Sequence, residues 1–274
     1  MKKILLSSAA IVAFAGVAAA DVSWTGSATL GYNDEVKGGV YADSDIDVKL
    51  SQELNNGWTA AASFGFELEK LQGDKAPDVD DTLLTGFKAD QNWVVSLSND
   101  SYSLTYGDTE FAAKEFWSGT PNMQNDNFSE QDGEEVLKVK GMFGGVEAAV
   151  SSNIDDETGD FDQVQFGAKA TFGSVDVIAV YQDDTKGADV GDDFKPASAF
   201  GIAVSTTVAG ADVKVAHADD GETSTGISVS YPVGDVALTA FYTSEEDGDD
   251  NYGLEAKYAA NGVSVKAWFH DGQD

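Results

Sequence analysis

From Trp58 to Glu69 the chain reads WTAAASFGFELE, and this stretch decides the fold. Trp58, Ala60, Ala62, Phe64, Phe66 and Leu68 share one parity, while Thr59, Ala61, Ser63, Gly65, Glu67 and Glu69 share the other. Successive side chains of a strand point to opposite faces, so the segment has one apolar and one polar face. The stretch before it repeats the pattern, with Ile46, Val48 and Leu50 set against Asp43, Asp45, Asp47, Lys49 and Ser51. Between the two lies Asn55-Asn56-Gly57, residues that tolerate the positive φ of a tight hairpin.

The hairpin recurs along the chain. Short links fall at Asn99-Asp100, Gly144-Gly145, Gly173-Ser174, Ala209-Gly210-Ala211, Gly234-Asp235 and Asn261-Gly262. Longer, acidic stretches lie near 33–39, 71–81, 107–135, 151–162, 183–197, 218–224 and 244–250, in strict alternation with the short links. The pattern predicts fifteen strands, near 22–32, 40–53, 58–69, 91–98, 102–107, 136–142, 146–151, 163–172, 175–182, 199–208, 212–217, 225–232, 235–243, 251–259 and 263–270, with residues 82–90 also partly strand-like. Short turns at one end and long loops at the other are what an all-β, transmembrane antiparallel up-and-down barrel requires. A soluble β-sandwich also alternates. Against it stand the aromatics placed near strand ends, Trp24, Tyr32, Trp58, Phe172, Tyr181, Tyr231, Tyr242, Tyr252 and Tyr258, as interfacial girdles demand.

Residues 1–20 read as a cleaved signal peptide. Lys2 and Lys3 precede an apolar run from Ile4 to Val17, and Ala18-Ala19-Ala20 supplies small residues before Asp21. Residues 21–274 then form a single barrel domain. Its removal takes two lysines and no acid, so the formal charge of −32 becomes −34. With 48 acids and no arginine, the chain lacks the basic surface that nucleic acid needs. Cysteine is absent, which excludes disulfides and thiolate metal sites. Beyond the first twenty residues no apolar run reaches the length of a membrane-spanning helix, about 18 residues.

The start DVSWTGSATLGYN (21–33), the hairpin ELNNGWTAAASFGFELE (53–69) and SYSLTYGDT (101–109) resemble the general diffusion porins of alphaproteobacteria, the Rhodobacter type. The resemblance spans essentially the whole chain, on loose motifs. It implies a sixteen-stranded barrel in the outer membrane of a Gram-negative cell, surrounded by lipid and lipopolysaccharide. It further implies a homotrimer, passive diffusion of ions and small hydrophilic solutes, and a third outer loop folded back into the lumen. Family members usually set arginines on the wall opposite that loop. This chain has none, so that half of the pattern does not carry over, and lysine replaces it only as a point charge.

The third outer loop corresponds to Gly107–Glu135, the longest non-alternating stretch. Asp108, Glu110, Lys114, Glu115 and Trp117 are the candidate constriction residues, with Phe111 and Phe116 expected to pin the loop on the wall. Parity then places Asp43, Asp45, Asp47, Lys49, Lys138, Lys140, Lys169 and Lys214 on the lumen wall, and Lys257 and Lys266 with them. A lysine on the lipid face would cost about 2–4 kcal/mol near the midplane, so stability alone favours this placement. An acidic lumen with few cations is expected to prefer cations.

Acidic runs mark the outer loops, and Asp126, Asp132 and Glu134 are candidate oxygen ligands for a structural Ca²⁺, though no run has EF-hand spacing. Only His217 and His270 could serve as catalytic bases, and neither neighbours a serine motif, so no enzyme activity is expected. A structural or adhesive barrel and a soluble secreted acidic β-protein are the rival readings. The chain is also expected to lack a closing strand. Fifteen antiparallel strands leave the first and last parallel, and residues 263–270 run outward into His270-Asp271-Gly272-Gln273-Asp274, the opening of an eighth outer loop. One missing strand is expected, or three in a larger barrel.

Overall fold

The computed structural model describes residues 21–32, 40–68, 87–89, 92–124, 126–129, 135–154, 159, 161–183, 198–260 and 263–271. The proposed signal peptide and the candidate ligands Asp132 and Glu134 lie outside these residues. Two compact units make up the chain, residues 1–109 and 110–274.

The first unit is a run of antiparallel strands: β1 (Asp21–Tyr32), β2 (Val40–Glu53), β3 (Thr59–Leu68), β4 (Phe87–Ala89), β5 (Val94–Ser98) and β6 (Tyr102–Gly107). The Asn55-Asn56-Gly57 turn forms as its composition dictates. Gly57 takes φ +78°, and the Asn56 side chain accepts the Trp58 N–H at 3.3 Å. The register holds the two parities apart. Asp47 sits opposite Thr25 and Gly65, whereas Val48 sits opposite Trp24 and Phe64. On the polar face Ser27 donates to Asp45 at 3.0 Å, and on the other the Phe64 and Phe66 rings meet edge to face at 5.7 Å.

The predicted fourth strand, 91–98, needs correcting. Both β4 and β5 pair with β3, at Phe66↔Ala89 and Ser63↔Val94, so four positions of one strand face two of the other. The two pieces thus follow one partner strand out of step by two residues, an offset of the kind that a bulge produces. Asn92 causes the break: its Oδ1 accepts the Gly65 N–H at 2.7 Å, in place of a backbone carbonyl. Only glycine admits it, since a Cβ on residue 65 would lie 2.4 Å from the Asn92 amide nitrogen.

The second unit opens with a one-turn helix, α1 (Ala112–Phe116), and continues as β7 (Val136–Phe143), β8 (Val146–Ile154), β9 (Phe161–Phe172), β10 (Val175–Asp183), β11 (Ala199–Val208), β12 (Ala211–Asp219), β13 (Thr223–Val233), β14 (Val236–Glu245), β15 (Asn251–Ala260) and β16 (Val263–Asp271). Consecutive strands among these ten pair antiparallel, from β7 with β8 to β15 with β16. The short links at Gly144-Gly145, Gly173-Ser174, Ala209-Gly210 and Gly234-Asp235 fall where predicted, and Asn261-Gly262 lies outside the described residues. At Ala209-Gly210 both residues take positive φ, +52° and +83°, which matches the twist of a two-residue hairpin at some cost to the alanine.

The two faces of this sheet are opposite in character. Phe166, Ile202, Val204, Val215, Ile227, Leu254 and Phe269 alternate along the strands and are all exposed. On the other parity Ala203, Ala216 and Ala218 are buried, and Ala149, Val180 and Ala199 pack in one cluster with α1. A sheet in water would have covered its Phe and Ile face, because each such side chain gains about 1.5–3 kcal/mol on burial. A continuous exposed apolar face instead suits lipid. Phe172, Tyr231 and Tyr252 lie near strand ends as expected, while Trp24 and Tyr242 sit further in. Among the described residues no helix is long and apolar enough to cross a membrane.

Candidate functional site

The segment 110–129 lies across the polar-parity face of the second unit, fastened at both ends. The short helix α1 has no side-chain cap of its own. Strand side chains take that role: Ala112 N–H donates to Ser151 Oγ at 2.8 Å and Ala113 N–H to Gln165 Oε1 at 3.1 Å. Leaving such groups buried and unpaired would cost about 1–3 kcal/mol each. Phe111 is fully buried. Ala112 and Ala113, fully buried, and Phe116, nearly so, join Phe128, Ala149, Val180 and Ala199 in one apolar cluster.

Further along, Pro121 O accepts from Thr243 Oγ1 at 3.1 Å, and Gln124 N–H donates to Glu245 at 3.2 Å. The Asn122 amide meets His270 Nδ1 at 3.2 Å, and Ser129 N–H donates to Gln182 Oε1 at 2.8 Å. The segment is closed on itself by Trp117, whose indole N–H donates to Asp126 at 2.8 Å and whose ring packs on Phe128 at 5.2 Å. Burial holds the Asp126 carboxyl above its ordinary pKa, an effect that the Trp117 hydrogen bond and the charge of Lys114 offset only in part.

Three glycines make room for the segment. A Cβ on Gly167 would lie 2.5 Å from Ala112 O, one on Gly201 2.4 Å from the Trp117 ring, and one on Gly226 1.7 Å from Thr120 Oγ1. Each is beyond what real contacts allow, so the segment rests where these strands carry no side chain.

Charge fixes the helix to β7. Glu115 accepts from Lys138 at 2.6 Å and from Lys140 at 2.8 Å, and Lys140 also reaches Glu147 at 2.7 Å. Lys138 donates in addition to Glu110 O at 2.7 Å. Burial by itself would raise the Glu115 carboxyl, but the hydrogen bonds and charges of the two lysines outweigh it and hold the group below its ordinary value.

Of the residues singled out in the sequence, the structure brings together Glu110, Lys114, Glu115, Trp117, Asp126, Lys138, Lys140, Lys169 and Lys214 within the second unit. Lys257 and Lys266 stand opposite one another in β15 and β16, with Lys266 paired to Glu255 at 3.0 Å. Asp108 belongs to the first unit, where its N–H donates to Trp93 O at 2.9 Å. Asp45, Asp47 and Lys49 lie on β2 of that unit, with Asp45 and Asp47 lining a cavity of about 470 Å³ alongside Thr25, Ser27 and Asn92. Asp43 lies on β2, and its side chain is outside the described residues. Among the described residues no cluster of three or more His, Cys, Asp or Glu is poised for a metal, and Asp126 already accepts from Trp117.

Sequence reading missed the receiving side: Ser151, Gln165, Gln182, Thr243, Glu245 and the three glycines. The signal was present as small residues recurring on the polar parity of β9, β11 and β13, where solvent-facing strands would carry larger polar groups.

An antiparallel strand meander with an apolar exposed face, and with one long connection fastened along its polar face, defines a channel of the outer-membrane β-barrel class. The sequence agrees: the model of the family described as Gram-negative porin matches residues 7–274, and the chain belongs to that family. No curated protein matches it significantly. Among solved structures it is similar to a triple mutant of Rhodopseudomonas blastica porin, with a TM-score of 0.64 and 15% identity over 92% of this chain and 95% of that one. A five-substitution mutant of the same porin gives 0.64 and 16% over the same shares. A porin refined at 1.8 Å resolution gives 0.56 and 16%, over 92% and 94%. At these identities the likeness shows the fold, an antiparallel up-and-down β-barrel. Family and fold together make the protein an outer-membrane porin, a channel class without catalytic chemistry.

Proposed function

We propose that the chain forms a water-filled, cation-preferring channel for ions and small hydrophilic solutes, in which residues 110–129 narrow the lumen and Glu110, Glu115, Lys138, Lys140, Lys169 and Lys214 line the narrowing. The observation that carries this reading is the fastening of the segment along the polar-parity face, from Ser151 on β8 to His270 on β16. A loop merely resting in solvent would not have its backbone donors met by buried wall side chains. A narrow ring of fixed charges sets the size and charge preference of a pore.

Support for cation preference comes from the formal charge of −34 left after cleavage of residues 1–20, with 48 acids against 14 lysines. Within the first unit, Asp45, Asp47 and Lys49, with Asp43 beside them in sequence, are the lining residues on β2 in this reading. The assembly in this reading is a homotrimer in an outer membrane rich in lipopolysaccharide, reached through cleavage of residues 1–20. A structural Ca²⁺ at Asp126 with Asp132 and Glu134 belongs to the same proposal, and chelation followed by a thermal melt tests it: no change in melting temperature excludes it.

The deciding measurement is the single-channel reversal potential across a KCl gradient. A potential of cationic sign supports the reading. One near zero or of anionic sign refutes the preference, and absence of conductance from folded protein refutes the channel.

A further inference from the structure

Four acids and lysines around the helix are mutually engaged, a fifth group, Asp176, is bonded to a hydroxyl, and two lysines are left over. Glu115 serves Lys138 and Lys140, Glu147 serves Lys140, and Asp176 accepts the Thr171 hydroxyl at 2.5 Å. Lys169 on β9 and Lys214 on β12 share a cavity of about 340 Å³ with these groups, beneath Trp117. Lys214 donates to neutral oxygens alone, Ser118 Oγ at 2.6 Å and the Ser118 and Gly119 carbonyls at 3.4 Å. Lys169 has no hydrogen-bond or ion-pair partner among the described residues, and its interaction with Lys214 is repulsive.

Two ammonium groups that repel one another beside a half-enclosed cavity lower their energy by sharing a counter-ion of charge two. Their unused N–H donors, with the Ser205 hydroxyl on the same wall, suit oxygen acceptors rather than a bare halide. The cavity exceeds the volume of a tetrahedral oxyanion several-fold, leaving room for a small substituent on it.

We infer that Lys169 and Lys214 form a binding site for a doubly charged oxyanion of the phosphate type, held under the 110–129 segment. The inference deepens the channel reading and rests on it: the net acidic lumen carries monovalent cations, while this one spot retains a divalent anion and slows the current as it does so.

The test uses the full chain and inorganic phosphate as the probe. In planar bilayers at matched ionic strength, phosphate added to KCl reduces the current saturably, and Lys169→Gln/Lys214→Gln shifts half-saturation to about tenfold higher phosphate or beyond, the loss of one to two charge-assisted hydrogen bonds. Lys257→Gln/Lys266→Gln, which removes the same charge elsewhere on the sheet, leaves the phosphate response in place. A non-saturable response, or equal loss in both double variants, overturns the inference. Should the first double variant fail to fold, Lys169→Gln alone removes an exposed group that has no partner among the described residues, and reports the same shift. Phosphorus NMR line broadening with detergent-solubilised protein gives a readout that does not need conduction. A conducting channel without phosphate broadening sinks this site alone, whereas folded protein that never conducts sinks the channel reading.

Discussion

Replacing Glu115 by glutamine tests how the segment is held. The wild-type carboxylate accepts from Lys138 at 2.6 Å and Lys140 at 2.8 Å, and a neutral amide keeps the shape but loses both charge-assisted bonds. Each such bond contributes about 1.5–3 kcal/mol when well buried. Glu115 and Lys140 are 28% and 30% exposed, so screening cuts the combined figure to about 1–3 kcal/mol. The remaining fastenings at Ser151, Gln165, Gln182, Thr243 and Glu245 contribute about 1 kcal/mol each, which keeps the segment in place on average. The variant should therefore show a mean conductance close to wild type but roughly ten to a hundred times more frequent excursions to other conductance levels, by the usual conversion of energy to population. Acid should mimic it. The carboxyl is held below its ordinary value in the folded protein, so its contribution is present above the unfolded pKa and is lost as pH falls through the depressed folded one. Single-channel traces recorded from neutral into acid pH make the comparison. If the variant is as quiet as wild type at neutral pH, and acid agitates both alike, the latch does not run through Glu115.

Other outcomes follow from the same geometry. Deleting residues 118–130 should raise conductance and admit larger sugars in liposome swelling, and unchanged exclusion would place the segment outside the lumen. Gly201→Val drives a side chain into Trp117 and should cost about 1–3 kcal/mol of overpacking, read as a lower temperature for the gel-mobility shift that marks barrel unfolding. Asp126→Asn keeps an acceptor for Trp117 while removing a buried charge. Because the wild-type carboxyl sits above its ordinary value, its stabilisation is full below the unfolded pKa and fades as pH rises through the folded one. The variant should melt higher than wild type at neutral pH and no higher in acid; the reverse order would show that the charge is needed. Neutralising Asp108, Glu110 and Glu115 together should move the reversal potential toward zero further than neutralising Asp249 and Asp250.

Most of the sheet was legible because its rule is local. Two-residue alternation between Asp43 and Glu69 assigns every side chain to a face, and Gly-rich pairs such as Gly144-Gly145 end a strand on conformational grounds alone. The break between β4 and β5 was not legible, since it turns on one Asn92 amide finding one Gly65 N–H 27 residues away. The pinning role of Phe111 and Phe116 could be read from composition, as large apolar side chains in an acidic loop must find cover. Their landing sites could not. Gln165, Gln182 and Ser151 look in sequence like any polar residues of a wet face, and only the fold shows them fully or almost fully buried against backbone donors.

The glycines at 167, 201 and 226 put the calibre of the passage under the control of the strands rather than the loop. The segment lies as close to the wall as backbone permits, because at three points there is nothing on the wall to hold it off. An alanine at any one of them inserts the thickness of a methyl group between wall and segment, with strand pairing untouched. In the proposed channel, bore thus changes by single methyl groups that add no charge, so size is retuned while the set of fixed charges stays the same.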